Sequence, residues 1–222
     1  MKRIDIRPFR QARYTLRLFG LKRKMPLYPV NKGLWIAGNE HLSFGCDVEF
    51  TRRAAKELYQ RLQKFRPQCL LTAEAKATAL AYEIAKKMGH EEYAIARKRL
   101  KEKIKGHLRA PARSITGGIR GALVLSSWYK RMIAGKRIAI IDDCISTGST
   151  TSALLRLAEK SKARVVAVAT VWLEGPWAFK RFAREISSGK LIYLDVLPVF
   201  AAGKTYDALL EQKSRIEKIV AR

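Results

Sequence analysis

Residues 137–155, RIAIIDDCISTGSTTSALL, decide how this chain of 222 residues folds. Ile138, Ala139, Ile140 and Ile141 form an unbroken apolar run bounded by charge, the pattern of a strand buried on both faces of a parallel sheet. Two carboxylates, Asp142 and Asp143, follow, and then a loop in which hydroxyls alternate with one glycine: Cys144-Ile145-Ser146-Thr147-Gly148-Ser149-Thr150. Ser149 or Thr150 is expected to cap the helix after it. Such a turn at a helix N-terminus aims N–H groups and hydroxyls at one point, where the helix dipole favours an anion. A phosphate fits there. Carboxylates would repel it, so the aspartates must serve another part of the same ligand, either hydroxyl groups or a divalent cation. Phosphate, vicinal hydroxyls and metal together describe a sugar phosphate.

The segment DDCISTGST, two acidic residues, three loop residues and Thr-Gly-x-Thr, resembles the 5-phosphoribosyl diphosphate (PRPP) motif of type I phosphoribosyltransferases. A strand before it and a helix after it are the context that motif requires. The resemblance spans residues 29–200 and lies nearest the adenine/guanine phosphoribosyltransferase group. It implies an α/β fold: a doubly wound, mostly parallel sheet with helices on both faces, and N-terminal and C-terminal appendages forming a hood. Ligands of such sheets bind at the C-terminal edge of the strands.

Length allows one such domain with extra elements and a full core. The expected divisions are a basic N-terminal appendage (1–46), a PRPP-binding core (47–175) and a C-terminal hood and helix (176–222). The longest apolar run, residues 165–173 apart from Thr170, is far short of the roughly 20 residues of a membrane span. The opening MKRIDIR has no apolar core, and Cys46, Cys69 and Cys144 are too scattered for disulfides or a zinc site, so a cytoplasmic location is expected. The histidines, His41, His90 and His107, are isolated and given no role. A net charge of +26 exceeds what one phosphorylated substrate needs and suggests nucleic acid as a further partner, although no nucleic-acid module accompanies it.

Along the chain, nine of the first 24 residues are basic, among them Lys2, Arg17, Lys22 and Lys24. Residues 14–19 and 33–37 are expected to be short strands, with Pro26 and Pro29 breaking the chain between them. Asp47 can cap a helix ending near residue 64, with Val48, Ala55, Leu58 and Leu62 at helical spacing and Pro67 beyond. Cys69, Leu70 and Leu71 make a buried strand, and Thr72-Ala73-Glu74-Ala75-Lys76-Ala77 leads into a helix over 78–88 with Gly89 at its C-terminal cap. Residues 93–96 form a third strand. The run 97–113, with Arg97-Lys98-Arg99 at its head, is too charged for core and long for a connection, which suggests a lid. A hairpin is expected from 114–116 and 122–126 across Gly117 and Gly118. Later strands are expected at 164–173, stopped by Glu174-Gly175-Pro176, and at 191–194 and 199–200, then an amphipathic helix over 205–220.

The resemblance assigns roles to these positions. It implies a purine phosphoribosyltransferase of purine salvage, joining a free base to PRPP to give a nucleoside monophosphate and pyrophosphate, with Mg²⁺ and as a homodimer. Ser146, Thr147, Gly148, Ser149 and Thr150 would hold the 5′-phosphate. Asp142 and Asp143 would hold the ribose hydroxyls, directly or through Mg²⁺. Glu74-Ala75-Lys76 resembles the Glu-Ala-Arg-Gly stretch of adenine phosphoribosyltransferases, with lysine for arginine and Ala77 for glycine; Ala75, Lys76, Arg97 and Lys98 would bind the pyrophosphate. Lysine offers a point charge where arginine offers a planar fork. Glu74 is the expected proton acceptor by the same analogy. Glu174 and Trp172, with Trp177 nearby, would meet the base, the indoles by stacking. Hypoxanthine-guanine enzymes of the family carry aspartate just before the Thr-Gly, where this chain has Ser146; adenine is favoured, with xanthine or another 6-oxopurine open. The alternative is a PRPP-sensing regulator that binds DNA or RNA through its basic surface.

Overall fold

The structure, a computed structural model, describes residues 3–31, 33–98, 105–113 and 120–220. The N-terminal part is built from β1 (Ile6–Pro8), β2 (Arg13–Leu18), β3 (Leu21–Asn31) and β4 (Leu34–Ala37), followed by a single helical turn, α1 (Glu40–Ser43). Then come α2 (Val48–Leu62), β5 (Cys69–Ala73), α3 (Thr78–Met88), β6 (Ala94–Ala96), β7 (Leu108–Arg113) and β8 (Arg120–Leu125). After α4 (Ser127–Ile133) the motif region forms β9 (Arg137–Ile145) and α5 (Ser149–Lys160), and the chain ends with β10 (Arg164–Glu174), α6 (Gly175–Arg181), α7 (Ala183–Ser187), β11 (Leu191–Leu197), β12 (Val199–Ala201) and α8 (Lys204–Val220).

The apolar run at 138–141 lies in the middle strand of a five-stranded parallel sheet ordered β11-β10-β9-β5-β6. Strand alternation sends Ile138 and Ile140 into a cluster with Leu154 and Leu157 of α5, and Ala139 and Ile141 into one with Leu58 of α2 and Ile84 of α3. Helices therefore cover both faces, as the doubly wound arrangement requires. The helix borders follow their local signals. Asp47 accepts a hydrogen bond from the Phe50 N–H at 2.9 Å and starts α2, while Gly89, at φ +71°, closes α3. Among the described residues no helix is long and apolar enough to cross a membrane.

A second sheet, ordered β1-β12-β4-β3-β2, joins the two chain ends and forms the hood. Here three expectations are corrected. Pro26 and Pro29 do not break the chain; β3 runs through both. It pairs with β2 along residues 21–26 and with β4 along 27–31, so each half has an open edge where a missing N–H costs no ladder bond. The division at 175 also shifts, because residues 191–197, placed in the C-terminal appendage, pair with β10 in the core sheet. Finally, much of the charged run 97–113 is not a loop. Leu108, Ala110 and Ala112 alternate with Arg109 and Pro111, and the inward set packs in the cluster shared with α5, where Lys160 Nζ donates to the Arg109 carbonyl at 2.8 Å. Charge on the outer face hid a period-two strand. It pairs antiparallel with β8; Arg99, the rest of 99–104 and the expected hairpin tip at 114–119 lie outside the described residues.

Candidate active site

Adjacent residues of a strand point to opposite faces, and Asp142 and Asp143 obey that rule. Asp142 looks toward α5, where Thr151 Oγ1 donates to its Oδ2 at 2.8 Å, and its Oδ1 accepts from the Asp143 N–H at 3.1 Å. Asp143 looks toward the hood, with Asn39 Nδ2 at 3.5 Å and Ser43 beside it. Both carboxyls are buried at the sheet's C-terminal edge, and burial pushes both toward the protonated form, with mutual repulsion adding to the effect on Asp142. The pair is thus split: Asp142 is fastened to the scaffold and Asp143 faces the cleft.

The turn after β9 is made by Gly148. It is the N-cap of α5 at φ +74°, and no side chain caps the helix, which corrects the expectation for Ser149 and Thr150. A Cβ at Gly148 would lie 2.4 Å from the Phe182 ring and 2.9 Å from Arg181 Cδ, so the glycine is needed both for its backbone and for its packing. With Gly148 as cap, the first N–H groups of a 12-residue helix are left for a ligand. Ser146, Thr147, Ser149 and Thr150 surround them, half-buried. Arg181, which no motif announced, brings a guanidinium to the same helix end, Nη1 donating to Ser152 Oγ at 3.1 Å.

The loop after β5 holds cations. Glu74 Oε2 accepts from Arg97 Nε at 3.0 Å and its Oε1 from the Lys98 N–H at 2.9 Å, while the Arg97 backbone is bonded both ways to Val124 of β8. Glu74, expected to accept a proton, instead has both oxygens engaged in positioning Arg97 and Lys98. Lys76 Nζ lies 3.6 Å from Glu40 Oε1 and 5.9 Å from the centre of the Phe44 ring, and its charge acts on Asp143 and Glu174. Ala75 is exposed between them.

The base-stacking role for Trp172 does not survive. Its ring is fully buried and stacks on Phe50 with centroids 5.4 Å apart, because the strand directs it into the core under α2. Trp177 packs against the other core cluster. Glu174, in contrast, is well placed. It is buried beside Ser146, its carboxyl pushed up to about 7 by burial. Ser43 Oγ and Ser146 Oγ are buried beside the Asp143 and Glu174 carboxyls, so the sheet edge next to α1 gathers polar atoms that a ligand could use. Asn39, Ser43, Thr151 and Arg181 are contributions the sequence left unmarked; only Thr151, in the first turn of the motif's helix, carried a local signal.

Comparison with known proteins shows the family and the fold. Residues 49–182 match the phosphoribosyl transferase domain family. Over 120 residues the chain is 31% identical to the adenine phosphoribosyltransferase of Desulfitobacterium hafniense (strain Y51), a stretch covering 54% of this chain and 65% of that relative, hence less than two thirds of its length. Among solved structures, the adenine phosphoribosyltransferase of Thermoanaerobacter pseudethanolicus superposes with a TM-score of 0.62 at 18% identity, covering 78% of this chain and 95% of that one. The Trypanosoma brucei adenine phosphoribosyl transferase, solved with AMP, pyrophosphate and ribose-5-phosphate, gives 0.58 at 18% identity, covering 73% and 69%. At such identities these two likenesses speak for the fold.

Proposed function

Because the chain belongs to the phosphoribosyl transferase family, we propose that it joins a free purine base, adenine first, to PRPP, releasing a nucleoside monophosphate and pyrophosphate. The observation that carries this reading is the meeting, at one sheet edge, of a buried carboxylate pair, a glycine-capped helix start and a separate group of cations. Such a division matches a ligand with a monophosphate, a diol and a diphosphate. The match to an adenine phosphoribosyltransferase over the core favours adenine, and Ser146 in place of an acidic residue agrees with it.

In this reading the α5 N–H groups with Ser146, Thr147, Ser149 and Thr150 grip the 5′-phosphate, and Asp143 accepts from the ribose hydroxyls with Asp142 holding the strand end behind it. Lys76, Arg97 and Lys98 meet the pyrophosphate. The bond from the anomeric carbon to the pyrophosphate oxygen breaks with its electrons going to that oxygen, and a base nitrogen lone pair forms the new bond. Charge develops on the leaving group, where fixed cations stabilise it without reorganisation. The base must also lose its imidazole proton, and Glu174, which titrates near neutrality, is suited to exchange it. Mg²⁺ fits the donor set, which is all carboxylate oxygen. Among the described residues no group of three or more acidic, His or Cys side chains could hold a metal alone, so the ion would arrive with the diphosphate and meet Asp143, the carboxylate that faces the cleft, with Asp142 fixing the strand behind it. There it would supply charge that neutralises the diphosphate.

Turnover of PRPP and Mg²⁺ with adenine, hypoxanthine, guanine, xanthine, orotate and uracil in separate reactions tests the proposal. Adenine should give AMP and pyrophosphate fastest. Pyrophosphate release with none of the bases would overturn it.

A further inference from the structure

Away from the catalytic cleft, two adjoining cavities of about 360 and about 520 Å³ follow the outer side of α2 and α3. Val48 and Arg52 line both, so they form one groove. At one end stand Tyr82 and Tyr93; at the other, Arg53, Lys56 and Lys87. Tyr82 is 54% exposed and Val48 63%, which leaves a ring and an apolar side chain of the groove open to a partner. Tyr93 is held by its hydroxyl, which donates to the Thr78 carbonyl at 3.4 Å.

The charge in the groove is unbalanced. Glu49, one of its two acidic residues, is taken up by Arg53 and Arg23, and no ion pair to Arg52, Lys56 or Lys87 exists among the described residues. The groove runs up to the tip of the β2–β3 hairpin, where Arg53 Nη1 donates to the Phe19 carbonyl. Strand register there turns Leu16, Arg23 and Met25 toward α2, Arg23 being paired with Asp47 and Glu49, and leaves Arg13, Arg17, Lys22 and Lys24 on the opposite, outer face.

An isologous dimer through the groove would press the same cations against themselves, which disfavours a second copy as the occupant. A polyanion is complementary. The exposed tyrosine asks for a flat partner with an accessible face, and the bases of a duplex hide theirs. We propose that the α2–α3 groove binds single-stranded nucleic acid, with phosphates along Arg52, Lys56 and Lys87 and a base stacked on Tyr82. This goes beyond the transferase reading and does not depend on it.

Fluorescence anisotropy of the full chain with a labelled single-stranded RNA, and with the same sequence as a duplex, tests the site between low and physiological salt. The single strand should bind at physiological salt and more tightly than the duplex. The triple variant Arg52→Gln, Lys56→Gln, Lys87→Gln should bind at least about tenfold more weakly and lower the salt slope by about 2, since each phosphate contact contributes about 0.7. The single variant Lys56→Glu should move both quantities the same way. Tyr82→Ala should weaken binding about tenfold with the slope unchanged. Loss of binding at physiological salt, equal affinity for the duplex, or parental affinity in the triple variant with parental melting temperature would each overturn the proposal. So would sedimentation showing a dimer that Tyr82→Ala converts to monomer with RNA affinity unchanged, which would assign the groove to a second copy.

Discussion

The loop after β9 and the loop after β5 both leave the C-terminal edge of one parallel sheet and enter a helix, yet they are equipped to meet anions by different means. The first relies on backbone: Gly148 takes φ +74°, leaves α5 uncapped by any side chain, and presents N–H groups. The second has no glycine, and Ala77 is the N-cap of α3, also without a side-chain cap. What it offers is charge, arranged by acids: Glu74 fixes Arg97 and Lys98, and Glu40 sits beside Lys76. A backbone cradle is rigid and shaped for one phosphate, whereas cations on side chains are adaptable and can neutralise a group whose charge grows as it departs. The difference fits a substrate in which one phosphate stays and another leaves.

Variants can break this contrast, the strongest at the strand that feeds the first loop. Asp142→Asn with Asp143→Asn should abolish PRPP turnover while the protein still melts cooperatively, because amides keep hydrogen bonding and lose the charge that recruits Mg²⁺. A double variant with the parental rate would remove the acidic pair from the site.

Gly148→Val attacks the cradle itself. The new side chain meets both an unfavourable φ and the Phe182 ring, so the PRPP dissociation constant should rise by a factor of ten or more, about 1.4 kcal/mol. Adding Phe182→Ala should recover stability more than affinity, since it removes the clash and leaves the backbone strain. Equal affinity in calorimetry would show that the turn does not wrap a phosphate.

Glu74→Gln should separate the two loops. It frees Arg97 and Lys98 without touching the β9 turn, so pyrophosphate should bind several-fold more weakly, within the factor of about 5 to 30 that one or two kcal/mol represents, and AMP should bind as before. A parallel loss for both ligands would mean that the loops act as one unit.

The smallest effect concerns Glu174 and pH. Its folded carboxyl titrates near about 7 against an ordinary 4.5, so its favourable contribution to stability is complete below the ordinary value and is lost as pH rises through the folded one. The melting temperature of the free protein should therefore fall between acidic and mildly alkaline buffer, and Asp142 and Asp143, also shifted upward, act in the same direction. Glu174→Gln should flatten part of that fall. An unchanged profile in the variant would place the titration elsewhere.

What the sequence by itself determined is local. The apolar run at 138–141, the glycine turn and the hydroxyls after it, the Asp47 cap, the helix over 78–88 and its Gly89 stop depend on side-chain period and turn chemistry within a few residues, and they stand where expected. The carboxylate pair and the glycine turn of the candidate site were legible for the same reason: they lie within one short motif. Only the tertiary structure decided the rest. It turned Asp142 to α5 and Asp143 to the hood, drew Trp172 into the core, tied Glu74 to Arg97 and Lys98, and brought Asn39, Ser43 and Arg181 to the cleft. It also carried β3 through two prolines by giving each half a different neighbour. Burial and charge at a point are sums over residues distant in the chain, so the protonation of Glu174 or the exposure of Tyr82 has no local signature to read.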